Sequence, residues 1–388
     1  MLRAVTLCSG YDSQCLALER LKQDFPPFDY ELVAWSEFDP QTPNVPLERQ
    51  PAVIAHNALF PQWADRNLGD MTKIDWTKVP DFDLLTYSTP CQSISQAGLQ
   101  HGFTEGSGTR SSIIWNVRDA LRIKHPRYAL LENVAAMVSA KFLPMFNLWR
   151  KEVESLGYHC WAALLNAKDY GIPQNRLRIY MASDNQGVSF HFPEAIPLER
   201  LLKDMLEQGV DTKYYLDFQK TQDFVRDNIK MIQDYARQST DPILPLPDHL
   251  AQWIKKQGCS IPDTAPSDPS VPSPSSPSSP SSPSSPVDAS MSGIPLLSEE
   301  SQGTPPVPFL FDVNGTQCIA LIRKLTEREC FRLMGLTDEQ VDRIQSTGLA
   351  RSHQYKLAGN SIVVDSLYHI FRKMLIDPTC ESQQLSLF

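Results

Sequence analysis

The chain has 388 residues, 41% of them hydrophobic, which is enough for a large core and two domains. No apolar run approaches the roughly 18 residues of a membrane span, and the opening "MLRAVTLCSGYDS" lacks the flanks of a signal peptide, so a cytoplasmic protein is expected. A net charge of -9 argues against a protein that coats nucleic acid non-specifically, yet leaves room for a local basic cleft.

Along the chain, β-like runs alternate with helical patterns up to residue 184. "RAVTL" reads as a strand running into a turn, "QCLALERLKQ" as a helix, "YELVAWSEFD" as a strand ending in acids, and "DFDLLTYSTP" as a strand ending at a proline. "SIIWNVRDALRIKH" has helical spacing, "RYALLENV" is a strand, and "FLPMFNLWRKEVESLGY" is a helix. "HCWAALLNAKDYG" and "RLRIYMAS" close the series as strands. Such alternation predicts an α/β fold with a doubly wound, mostly parallel sheet whose ligands sit beyond the carboxyl ends of the strands. Asp211 to Gln238 is predicted helical after its start, and the Pro/Ser repeat from Ile261 to Ser290 predicts a disordered linker with too few apolar residues to bury. The Asn-Gly of "DVNGTQ" suits a hairpin turn. Thr326 with Glu329 reads as a capping box, and "YKLAGNSIVVDSLYHIFRKML" as a Gly-Asn turn feeding an apolar helix.

Eight cysteines contain no C-x-x-C pair and no zinc spacing, so neither a metal nor a disulfide framework is expected. Cys91 is the exception to burial as a small apolar residue. It follows Pro90 at a strand's carboxyl end, where a following helix start lowers a thiol's pKa. Glu132 ends the apolar run "LLENV", where burial is costly unless the carboxyl is paired or protonated, and a raised pKa would let it donate a proton. Arg176 and Arg178 alternate with apolar residues in "NRLRIYM", which puts two planar donors on one strand face. Taken singly, each has an ordinary reading: a cysteine in a βα turn, a glutamate capping a helix, a solvated edge strand.

Together "PCQ", "ENV", "DYGIPQNRLRIYM", "RKLTERECFRLMG" and "GNSIV", in this order, resemble the DNA cytosine-5 methyltransferase family over residues 2–183 and 318–376. The resemblance implies an S-adenosylmethionine-dependent methyltransferase fold whose C-terminal helix returns to the first domain. The divisions it implies are a catalytic domain at 1–184, a small, divergent target-recognition region at 185–317 including the linker at 261–290, and a completing segment at 318–388. It implies methyl transfer to C5 of a flipped-out cytosine in duplex DNA. Cys91 would be the nucleophile on a loop with Gln92, Glu132 would act on N3, Arg178 would contact O2, and Arg176 would support the site. The loop would continue flexibly through Gly102 to Val117. S-adenosylmethionine would be held by Cys8, Ser9, Gly10 and Tyr11 of the first turn, Glu37 and Phe38, Asp70 and Met71, Pro90, and Asn360 and Ser361. The first turn departs from the family pattern: Cys8 replaces an aromatic residue, and Asp12 and Ser13 replace later glycines. No compact β-rich recognition module is evident, which suggests weak or short sequence specificity. Restriction-modification, phage and orphan settings in a bacterial or phage-infected cell all fit, with a cognate restriction endonuclease as a possible partner. A transfer-RNA cytosine methyltransferase and a non-catalytic nucleic-acid-binding relative remain as alternatives. Oligomeric state is not legible.

Overall fold

The computed structural model describes residues 1–90, 105, 110–216, 220, 223, 227, 228, 309–313, 316–320 and 322–377. The chain divides into two compact units: Met1–Leu206 with Glu327–Phe388, and Glu207–Thr326.

The first unit is built on six strands: β1 (Leu2–Leu7), β2 (Tyr30–Ser36), β3 (Leu84–Tyr87), β4 (Tyr128–Val134), β5 (His159–Asn166) and β6 (Leu177–Asp184). Their order across the sheet is β2-β1-β3-β4-β6-β5. The first four are mutually parallel, and β6 runs antiparallel to both β4 and β5. All four residues of β3 are buried, as a strand covered on both faces requires. The covering helices are α1 (Ser13–Asp24), α2 (Pro51–Leu59), α3 (Val117–Lys124) and α4 (Leu143–Ser155). The stretch read as one helix from Ser112 to His125 instead has a 3-10 first half, Arg110–Asn116, before α3.

Register places the working edge. Leu7 pairs with Ser36 on one side and Tyr87 on the other, and Tyr87 pairs with Leu131. The next residue on each strand therefore falls in one row: Glu37, Cys8, Ser88 and Glu132. At about 4.8 Å per strand the row is about 14 Å long. Chain order reverses direction between β1 and β3, the position where open α/β sheets bind ligands.

After β6 come a short helical turn, α5 (Leu202–Met205), then α6 (Glu327–Arg332), α7 (Asp338–Gln345), α8 (Arg351–Asn360) and α9 (Val364–Phe371). Helix α9 packs on α1, so both ends of the chain build one core. Gly359 and Asn360 occupy the last turn of α8 rather than a turn of their own. The bend lies at Ser361–Val363, because Ile362 and Val363 are drawn into the core.

Asp365 of α9 fastens this return. Its Oδ1 meets Arg20 of α1 at 3.1 Å and Arg200 at 2.8 Å, while its Oδ2 is buried against Gly335. Gly335 has φ +88°, and an added Cβ would collide with that oxygen and sit 3.1 Å from Val364 Cβ. Gly335→Ala is expected to cost about 3 kcal/mol through backbone strain and displacement of the Asp365 clamp, measured by urea denaturation. A loss below about 0.5 kcal/mol would show that the turn relaxes freely.

In the second unit, β7 (Phe309–Val313) and β8 (Thr316–Ala320) form the antiparallel hairpin anticipated around "DVNGTQ", with Val313 opposite Thr316. Its two turn residues lie outside the described residues. Tyr215 bridges Arg323, and the Leu216 N–H donates to the Ile322 carbonyl at 2.9 Å. Of the predicted helix at 211–238, the start is a single 3-10 turn, Thr212–Tyr214, and most of the remainder lies outside the described residues, as does the Pro/Ser segment.

Candidate active site

Two clusters occupy the row of strand ends. The first surrounds the β1–α1 turn. Cys8, Gly10 and Asp12 all adopt positive φ, at 54°, 58° and 68°. This alternation turns the Gly10 N–H toward Glu37, which accepts it on Oε2 at 2.8 Å. Among the described residues nothing bonds the other oxygen of Glu37. Burial raises the pKa of this carboxyl, and the Gly10 N–H partly offsets the rise.

Glu37 is itself bracketed by Asn67, whose Oδ1 accepts the Glu37 N–H at 3.2 Å and whose Nδ2 donates to the Glu37 carbonyl at 3.3 Å. Asn67 Oδ1 also accepts the Gly69 N–H at 2.9 Å, which brings Asp70 and Met71 to the same strand end. Met71 is buried, with its sulfur 3.4 Å from Cys8 Sγ. Burial, then the charges of Glu37 and Asp70, push the Cys8 thiol up. Asp70 Oδ1 caps its 3-10 turn, accepting the Thr72 N–H at 3.0 Å and hydroxyl at 2.8 Å. A carboxylate has about four lone-pair sites, so capping does not exhaust it.

Ser9 faces inward: its N–H donates to the Ser36 carbonyl at 3.2 Å, locking the ends of β1 and β2 together. Tyr11 is buried, donates to Ser361 Oγ at 2.6 Å, and has its pKa pushed up to about 12 by burial. Phe38 is half-buried beside Glu37, and Asn360 is exposed at the end of α8.

The second cluster centres on Glu132, buried on β4. Ser88 donates to its Oε2 at 2.6 Å, and Arg178 Nε stands 3.3 Å from its Oε1. Burial raises the Glu132 pKa; the Ser88 hydrogen bond and the two arginines oppose that rise. Asn133 Nδ2 donates to the Thr89 carbonyl at 3.0 Å, pinning the backbone one residue before Pro90 and two before Cys91. Cys91 and Gln92 themselves, and most of the loop from Gly102, lie outside the described residues.

Arg176 and Arg178 both act electrostatically on Glu132, but their direct partners differ. Arg178 lies in β6 opposite Val134 and reaches Glu132. Arg176 precedes the strand and donates to the Gly359 and Ser361 carbonyls at 3.0 and 2.7 Å. Its Nε is buried with no hydrogen-bond partner among the described residues.

Residues 2–375 match the C-5 cytosine-specific DNA methylase family. The chain belongs to that family. It is 32% identical over 311 residues to the type II methyltransferase M2.ScrFI of Lactococcus lactis subsp. cremoris, covering 80% of this chain and 71% of that protein. It is 25% identical over 447 residues to the orphan methyltransferase M.SPRI of Bacillus phage SPR, covering 96% and 97%. In fold it resembles the S. pombe Dnmt2 methyltransferase (TM-score 0.53, 16% identity, 97% and 99% coverage) and the Entamoeba histolytica methyltransferase EhMeth (TM-score 0.59, 14% identity, 97% and 98% coverage). The C-5 cytosine-specific DNA methylases use S-adenosylmethionine, so this chain is a DNA cytosine-5 methyltransferase with that cofactor. The residues of the first cluster fit the cofactor's chemistry: Glu37 has one oxygen without a hydrogen bond among the described residues that could accept hydroxyl donors, and Met71 is an apolar neighbour at the same strand end.

Sequence reasoning passed over Ser88, Asn67 and Asn133 as partners. Ser88 and Asn133 stand within motifs that were singled out, one residue from a strand end and one from Glu132. Asn67 lies in a loop whose sequence gives no such signal. No described helix is long and apolar enough to cross a membrane.

Proposed function

We propose that the chain methylates C5 of a cytosine flipped out of duplex DNA, with Cys91 as nucleophile and Glu132 as proton donor. The observation that carries this is the buried Glu132 with a raised pKa, held by Ser88 and Arg178 beside the anchored backbone that leads into Cys91. Cytosine C5 is too weakly nucleophilic to take a methyl group unaided. Addition of the Cys91 thiolate to C6, with a proton passing from Glu132 to N3, converts the ring to an enamine that is nucleophilic at C5. Arg178 orients the ring through O2 and keeps Glu132 in place. Arg176, which ties the strand to Ser361, supports the wall. After transfer, loss of the C5 proton expels the thiolate and restores aromaticity. Extruding the base costs a few kcal/mol, and closure of the loop carrying Gln92 offsets it.

Bound S-adenosylmethionine supplies an electrophilic methyl group. Glu37 would hold its ribose hydroxyls, Phe38, Asp70 and Met71 its adenine, and the Cys8–Tyr11 turn with Pro90, Asn360 and Ser361 its methionine end. The region 185–317 is assigned to target recognition, and the cytoplasm of a bacterial or phage-infected cell as the place of action. A cognate endonuclease fits the type II setting of relatives such as M2.ScrFI.

Bisulfite sequencing of DNA from cells expressing the protein is expected to show methylated cytosines in a short or relaxed sequence context, with duplex DNA preferred over transfer RNA in vitro. Methylation of transfer RNA alone would overturn this reading.

Because Glu37 must be ionised to accept two hydroxyls, and its pKa is raised, cofactor affinity is expected to fall as pH drops through that raised value. The loss should begin above the ordinary glutamate range of about 4.3 and amount to about tenfold or more. Equilibrium binding against pH measures this, with Glu37→Gln giving weak, pH-independent binding. A flat wild-type profile across pH 4–8 would contradict the assignment.

A further inference from the structure

The β1–α1 turn departs from its family's glycines at Asp12, and the structure gives that residue a use. Asp12 is fully buried with φ 68°, a left-handed conformation that is strained for a non-glycine residue. Its side chain is committed on both oxygens. Oδ1 accepts the Cys15 N–H at 3.1 Å as the N-cap of α1, and Oδ2 accepts the Thr6 hydroxyl at 2.8 Å. The third group facing it is His56 of α2, whose Nε2 stands 3.6 Å from Oδ2. That ring is also fully buried, and its Nε2 has no hydrogen-bond partner among the described residues. The ring's flat side stacks on Trp35, with centroids 3.5 Å apart and planes 16° from parallel. Trp35 lies on β2, two residues before Glu37.

His56 therefore touches both arms of the Gly10–Glu37 contact from beneath: Asp12 two residues beyond Gly10, and Trp35 two residues before Glu37. We propose that Asp12 and His56 form a buried bracket that positions the Gly10–Glu37 clamp for S-adenosylmethionine. Neither residue reaches the cofactor. The bracket fixes the left-handed turn that aims the Gly10 N–H, and the stacked ring sets the spacing between the β1 turn and the end of β2. The carboxylate holds one left-handed backbone shape by hydrogen bonds to Thr6 and Cys15, where a bare glycine would leave the turn free to sample others. The proposal rests on Glu37 as a cofactor ligand.

The test uses the full-length protein and measures the dissociation constant for S-adenosylmethionine by calorimetry, KM and kcat for methyl transfer, and amide hydrogen exchange at Gly10. Asp12→Gly permits the same φ but removes the cap and the bracket. It is expected to weaken cofactor binding about five- to tenfold, to raise KM for the cofactor in parallel with kcat within about twofold, and to speed exchange at Gly10. His56→Phe keeps the stack on Trp35 but removes the nitrogen that faces Asp12, and is expected to weaken binding about threefold. Asp12→Asn, which still accepts the Cys15 N–H, should restore most of the affinity. Should Asp12→Gly not fold, His56→Phe and Asp12→Asn carry the same comparison. Unchanged affinity in Asp12→Gly and His56→Phe, or a fall in kcat with unaltered KM, would overturn the bracket. Glu37→Gln separates the two ideas. If it fails to weaken binding, the clamp itself is wrong; if it weakens binding while the bracket variants do not, only the bracket is wrong.

Discussion

Glu132→Gln is expected to lower methyl transfer by about two to four orders of magnitude while leaving S-adenosylmethionine binding within about threefold of wild type. The amide preserves the side chain's shape and can still accept from Ser88, now 2.6 Å from the carboxylate. What it lacks is an acidic proton to give N3; Arg178, now 3.3 Å away, can still meet the amide oxygen. The raised pKa of Glu132 fixes the direction of the pH effect. Its cause is burial, opposed by Ser88 and the arginines, so the acid form persists to higher pH than in an exposed glutamate. As pH rises through that value the fraction able to donate falls, and single-turnover rates on duplex DNA should decline with it. The Glu132→Gln variant should show no such decline. Near-wild-type turnover in the variant would remove Glu132 from the chemistry.

Cys91→Ser has the larger expected effect, a fall of at least about four orders of magnitude in turnover with DNA binding retained. A serine hydroxyl is far less ionised than a thiol near neutral pH, so it is a much weaker nucleophile toward C6. The described backbone two residues before Cys91 is held by Asn133, whose Nδ2 donates to the Thr89 carbonyl at 3.0 Å. The substitution should therefore leave the sheet edge intact, and circular dichroism and melting temperature should be close to wild type. Loss of folding together with loss of activity would leave the thiol with a structural role instead.

Much of the fold was legible because strands buried on both faces are written as short apolar runs. "AVTL", "LLTY" and "YALL" could be read directly, and alternation with amphipathic helices implied parallel order. Glu37 and Glu132 were legible as acids at strand ends, and the register then puts them in the same row. Pairings made across the sheet were not legible. Nothing in "TYSTP" says that Ser88 meets Glu132 rather than solvent, because that contact depends on β3 lying beside β4. The two arginines show the limit of local periodicity. Their alternation suggests one shared face, and both charges do act on Glu132, but alternation does not tell that Arg176 precedes the strand and donates to the Gly359 and Ser361 carbonyls. The Gly-Asn pair was misleading for a similar reason: local turn chemistry lost to continuation of α8, and the chain bends only where Ile362 and Val363 enter the core. Asp12 was noted as a departure from a glycine pattern, but its partner His56 is 44 residues away and carried no signal in sequence.

Incubating the protein with S-adenosylmethionine and a DNA duplex containing 5-fluorocytosine, followed by mass spectrometry of the intact complex and its peptides, tests the central claim most directly. Fluorine at C5 blocks the final proton loss, so the account predicts a stable adduct carrying one methyl group, with the cross-link at Cys91 and none in Cys91→Ser. Methylation of ordinary cytosine with no trapped adduct, or a cross-link at any other cysteine, would contradict it.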